Sequence, residues 1–319
     1  ACIRSLFAGH TMTINKVFFA LLAIALAYSS PVAAVDSDDL PGDTIWYLHA
    51  DLAGMRSSES GRELYRWLDG EVFVEVYEET GIDIGRELER VTAYSAVGPG
   101  VTIVLEGTLS QETKDKLMAM VALQGNFDPR EHRGKAYFFA GDDDAEPNTS
   151  DPLGNLQDAA FFSFAVPNKV LVSSSEGQMQ ELLQSGGKIS GSGGHKGALF
   201  VMTADKSFVQ AGMRAEHFAS DDDDDWNSNI LRNTEQAALL VADRGGLLAV
   251  EAQLKSTDAM MARSISSVIN GLIGLQAFNS DIDPQIRSMI SNTKVSVADA
   301  VLSISTVFDP AVLVQLLSD

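Results

Sequence analysis

Two eight-residue segments, Thr44–Asp51 (TIWYLHAD) and Ala198–Asp205 (ALFVMTAD), read as the same strand, and each ends in Ala-Asp. A strand cannot cover its own faces, so a repeated strand obliges the chain to build a sheet around each copy. The elements beyond each copy run in the same order. After the first come a helix at 59–68 and strands at 91–97 and 101–109 around Gly98-Pro99-Gly100. A helix capped by Ser110 runs to Gln124, strands come next at 136–140, 159–166 and 169–173, and a helix at 176–184 closes the unit. After the second come strands at 236–242 and 247–254 around Gly245-Gly246, a long helix at 257–278 and a short one at 284–290. Strands at 294–300 and 301–308 then lead to a last helix opened by Asp309-Pro310. The run from Glu251 (EAQLKS) matches the run from Glu106 (EGTLSQ), each leading into a helix. The expected fold is α+β: two related units, each a mostly antiparallel sheet with helices packed on one face.

The first 34 residues stand outside that fold. Lys16 precedes Val17–Tyr28, twelve residues without a charge, and Val32-Ala33-Ala34 supplies small residues for cleavage after Ser29-Ser30-Pro31. This is the layout of a secretory signal peptide. Twelve helical residues span about 18 Å, too short for the ~30 Å hydrocarbon core. Met12 is the expected start, with Ala1–Thr11 upstream of it. The expected organisation is leader 1–34, acidic lead-in 35–43, first unit 44–185, Gly/Ser-rich linker 186–197 and second unit 198–319. The expected location is the periplasm, with no stable membrane insertion after cleavage. The single cysteine, Cys2, falls in the leader, so the mature chain has no thiol for catalysis, zinc binding or mispairing.

Charge removes further classes. Asp and Glu number 44 against 23 Lys and Arg, for a net charge of −21. Such a chain lacks the clustered bases that neutralise phosphates, so nucleic acid is not an expected partner. Part of the acid lies in two runs, Asp142–Asp144 with Glu146 and Asp221–Asp225. Neither has the alternate spacing or the distal Glu of a calcium loop; weak Ca²⁺ binding to solvated loops is all they offer, and no cofactor is expected.

Among the histidines, His49 stands two residues before Asp51 on a strand, which puts both side chains on one face. That pair is the candidate metal site, although a strand-end His beside a capping Asp has the same pattern, and Thr203 stands before Asp205 in the second copy. His195 lies in the glycine linker. The sequence contains no G-x-S-x-G elbow, H-E-x-x-H helix or phosphate-binding GxxxxGK[ST]. Trp46 and Trp67 fall in apolar patterns and are expected in the core, with Trp226 as a loop anchor. The segment Met260–Leu275 holds one charge, Arg263, and Ile265, Val268, Ile269, Leu272 and Leu275 at helical spacing. The expected role of that helix is to cross its own sheet; a partner interface is the alternative.

From Leu40 the stretch LPGDTIWYLHADLAGMRSSESGREL, with the later YEETGIDIGREL (Tyr77–Leu88) and EHRGKAYF (Glu131–Phe138), resembles uncharacterised exported proteins of Gram-negative bacteria. The resemblance covers most of the first unit and the second only loosely. It implies an exported protein with a duplicated α+β layout and brings no catalytic residues. Taken together, the expectation is a non-enzymatic envelope protein that binds another protein or a small ligand. A metal-assisted hydrolase using His49 and Asp51, and a structural or scaffold protein of the envelope, are the alternatives.

Overall fold

The structure, a computed structural model, describes residues 44–96, 100–122, 126–141, 156, 159–189, 197–209, 232–277 and 282–318. The leader, the lead-in, both acidic runs, His195, His217, Trp226 and most of the linker lie outside the described residues. The chain divides into two compact units. Strand β1 (Thr44–Asp51) runs into helices α1 (Leu52–Ser57) and α2 (Glu59–Leu68). Residues 54–64 belong to the second unit and the chain returns to the first at Tyr65, an excursion the sequence does not announce.

The first unit continues through a wide π turn at Asp69–Phe73 into α3 (Val74–Thr80) and α4 (Ile84–Glu87). Then come β2 (Leu88–Ala96), β3 (Gly100–Gly107), α5 (Gln111–Ala122), β4 (Asn126–His132), β5 (Lys135–Gly141), β6 (Ala159–Ser163), β7 (Lys169–Ser173) and α6 (Glu176–Ser185). Its strands lie in the order β1-β2-β3-β7-β6-β5-β4, antiparallel throughout. β4 is a correction to the sequence reading, which assigns no element to 126–132. Pro129 removes a ladder donor, and β4 tolerates that because it is the end strand. Ser110 caps α5 as expected, its hydroxyl accepting from Thr113 N at 3.1 Å.

Helix α6 makes the core of this unit. Met179, Leu182 and Leu183 recur at helical spacing and pack on Val104, Leu171, Tyr137, Phe139 and Phe161 of the sheet. Each such side chain taken out of water contributes about 1.5–3 kcal/mol before entropy is counted. The opposite face is buried as well: Trp46 and Tyr47, adjacent on β1 and so on opposite faces, are 5% and 1% exposed.

The second unit comprises β8 (Ala198–Asp205), β9 (Thr234–Arg244), β10 (Leu247–Ser256), α7 (Ala259–Ala277), α8 (Pro284–Ser291), β11 (Lys294–Ala298), β12 (Val301–Phe308) and α9 (Pro310–Ser318). Its strand order is β8-β9-β10-β12-β11, again antiparallel. That repeats β1-β2-β3-β7-β6, the first unit carrying the hairpin β4–β5 in addition. Asp258 caps α7 by accepting from Met260 N and Met261 N, both at 2.8 Å, and Asp309 caps α9 through Ala311 N at 2.9 Å. The match of Glu106 with Glu251 does not survive registration from the shared Ala-Asp ends. Asp51 stands opposite Arg90 and Arg90 opposite Glu106, while Asp205 stands opposite Gln236 and Gln236 opposite Lys255.

The stretch Ser58–Leu64 (SESGREL) forms the α1–α2 corner. Ser58 Oγ accepts from Gly61 N at 3.1 Å, and Leu64 is buried. A β-carbon on Gly61 would stand 2.7 Å from the Met55 backbone, so only glycine lets the two helices meet this closely. Ser60 donates from N (3.2 Å) and from its hydroxyl to the carboxylate of Asp243, beside the Gly245–Gly246 turn of the second unit. The Ser60 hydroxyl, more than any other contact, holds the Asp243 carboxyl below its ordinary value.

Candidate functional site

The His49–Asp51 pair lies on β1, on the sheet face that α6 covers further along. His49 Nδ1 is 2.9 Å from Thr92 Oγ1 on β2. Such a contact can orient a metal-bound imidazole, leaving Nε2 for the ion. Among the described residues, however, no group of three or more His, Cys, Asp or Glu side chains is placed to hold a metal. Asp51 instead opens a row of alternating charge. Reading across β1, β2, β3 and β7, Asp51, Arg90, Glu106 and Lys169 stand opposite one another in turn. Arg90 Nε donates to Glu106 Oε2 at 2.7 Å and Lys169 Nζ to Glu106 Oε1 at 2.6 Å. Lys169 also donates to the carbonyl of Gly187, just past α6, at 2.8 Å. Burial pushes the Glu106 carboxyl up, but Lys169 and Arg90 overcome that and hold it below its ordinary value.

Further along the same face lies a second network. Arg130 of β4 ion-pairs with Glu176 of α6 at 2.9 Å and with Asp128 at 2.8 Å. Its guanidinium lies over the rings of Phe139 (5.1 Å) and Phe161 (5.5 Å). The Tyr137 phenol donates to Glu176 at 2.6 Å, and Gln180 donates to that phenol at 3.3 Å. The Tyr137 hydrogen bond, with Arg130 behind it, lowers the Glu176 carboxyl against the effect of burial. Only the segment containing Tyr137 stands out in the sequence. Arg130 and Glu176 are 46 residues apart, and nothing short of the β4–β5 pairing brings them together.

Both carboxylates are therefore ionised at neutral pH and engaged by cations, which suits them to fastening α6 to the sheet and not to donating a proton. Their pH dependence has a definite sign. A carboxyl whose folded value lies below its unfolded one adds stability above the unfolded value and loses it as the pH falls through the folded one. Glu106, Glu176 and Asp243 are all of this kind. The urea midpoint is expected to hold between about pH 7 and 5 and to fall below about pH 4, with a shallower acid limb in Glu106→Gln.

Helix α7 differs in kind. Ala262, Ile265 and Ile269 are buried against β10, β12 and the neighbouring elements of its unit, as a helix crossing its sheet requires. The rest of the periodic set does not join them. Val268 is 38% exposed, Leu272 45%, Leu275 72%, and Met260 at the start 71%. On a helical projection these four fall within one arc, which also holds Met261, Ser264 and Gly271. One apolar pattern in the sequence thus becomes two stripes, one in the core and one in water, because the helix is apolar for more than the width its sheet can cover. Among the described residues no helix is long and apolar enough to cross a membrane.

No protein-family model and no curated protein matches the chain. Solved structures that resemble it are titled "Structure of crystal form IV of TP0453", with 11% identity and a TM-score of 0.46 over 90% of this chain and 98% of that one. "Structure of crystal form III of TP0453" is similar at 12% and 0.44, over 90% and 99%. Similarity of that degree adds nothing to the assignment of a site.

Proposed function

We propose that the chain is an exported, non-catalytic protein of the periplasm, grown by duplication of one α+β unit, that works by binding another protein through α7. The exposed stripe Met260, Val268, Leu272 and Leu275 is the observation that carries this reading. Contiguous apolar surface costs solubility, and a soluble protein that keeps such a patch ordinarily uses it for contact. Export is supported by Lys16, the uncharged run Val17–Tyr28 and the small residues before Val35. Duplication is supported by the shared strand order.

The test is a photo-reactive amino acid at position 275 in the producing cell, with position 181, exposed on α6, as control. The reading expects a discrete protein adduct at 275 that is absent at 181 and lost when Leu272→Asp is added. The absence of any position-specific adduct would overturn it.

A further inference from the structure

Resting on that reading of α7, we infer that the partner is a second copy of this chain, docked edge to edge through β11 with α7 beside it. β11 ends the sheet of the second unit. An end strand presents an unpaired row of backbone donors and acceptors, the ordinary template for another strand. The two end strands are equipped differently. β4 carries Pro129, Asp128, Arg130, Glu131 and His132, a set that blunts pairing. β11 reads Lys294-Val295-Ser296-Val297-Ala298, without proline or acid.

That sequence is also self-complementary. An antiparallel pair of β11 strands related by a two-fold axis at Ser296 puts Val295 opposite Val297 of the other copy and Lys294 opposite its Ala298. The two lysines then stand at opposite ends and never face each other. Val295 and Val297 lie opposite Ile304 and Leu302 on β12, and both of those are fully buried. Lys294, Ser296 and Ala298 are exposed on the opposite face.

Charge favours the same occupant. Two copies of a chain of net charge −21 repel each other wherever acids face acids. Helix α7 and strand β11 hold no acid, their only charges being Arg263 and Lys294. α7 packs against β11, so strand pairing brings two α7 helices onto one face of a continuous sheet.

Two measurements test this on the full chain, processed as its cell processes it, in a Cys2→Ser background. The first is mild oxidation of Ser296→Cys, which the two-fold axis sets opposite itself within disulfide reach, compared with Lys294→Cys, which it does not. Ser296→Cys is expected to give covalent dimer on the order of tenfold faster, and mixed Lys294→Cys and Ala298→Cys proteins to link to each other. The second is sedimentation velocity: a dimer that strengthens with added salt, as net repulsion is screened, and that reverts to monomer in Leu272→Asp/Leu275→Asp. Equal linking rates, or a monomer at every salt concentration, overturns the second-copy assignment. If position 275 still yields an adduct with a different protein, the proposed function stands and only its partner changes. If neither adduct nor dimer forms, both fall.

Discussion

Replacing Leu171 by alanine is expected to lower stability by about 3–5 kcal/mol, read as a shift in urea midpoint at unchanged slope. Leu171 is fully buried on β7 in the cluster where α6 lays Met179, Leu182 and Leu183 onto the sheet. Removing it deletes transfer energy and leaves a cavity among rigid neighbours: the rings of Tyr137, Phe139 and Phe161 are held by mutual contacts and by the Arg130–Glu176 pair. The neighbouring Val172, on the other face and only half-buried, is the control; Val172→Ala is expected to cost about 1 kcal/mol. Equal costs at the two positions would remove α6 from its place as the organiser of this core.

Gly107→Ala is expected to cost about 3 kcal/mol, more than any exposed glycine replacement. A β-carbon there would lie 2.1 Å from the Glu87 carbonyl oxygen and 2.9 Å from Leu88 Cα, backbone atoms that no rotamer change can move. On its other side Gly107 N donates to the Asn168 carbonyl at 2.9 Å, so the strand cannot slide away. Displacing Glu87 carries a further penalty, because its carboxylate accepts from Ser110 N and the Thr113 hydroxyl, both at 3.0 Å, and so steadies the start of α5. Gly177→Ala, with only Ser175 Oγ at 3.8 Å from the new carbon, is the contrasting case. It sits in α6 and is expected to be neutral or to stabilise by up to about 1 kcal/mol. Thermal and urea unfolding of the two variants side by side measures the difference.

Much of this architecture was legible because its signals are local. Thr44–Asp51, Lys169–Ser173, Ala198–Asp205 and Val301–Phe308 are strands with the bounds their β-branched runs imply. Asp309 and Ser110 cap the helices they precede. The failures lie where tertiary context decides. β4 was hidden because Pro129 is acceptable only on an end strand, and which strand is the end one is a property of the whole sheet. The charge row Asp51–Arg90–Glu106–Lys169 is assembled from four strands whose register no single segment contains. The Glu106–Glu251 equivalence was not sound, because similar residues before a helix need not share a register. On α7 the spacing identified the helix but could not say how much of its apolar circumference the sheet would cover.

That last point carries the functional account, and one comparison tests it most directly: Leu272→Asp against Ile265→Asp, each scored for urea stability and for the protein adduct formed at position 275. If α7 is a contact surface, Leu272→Asp leaves stability within about 0.5 kcal/mol and abolishes the adduct, while Ile265→Asp, buried on the inner stripe, destabilises by several times that amount. If Leu272→Asp unfolds the chain as Ile265→Asp does, or if the adduct persists undiminished, the outer stripe of α7 is not where this protein meets its partner.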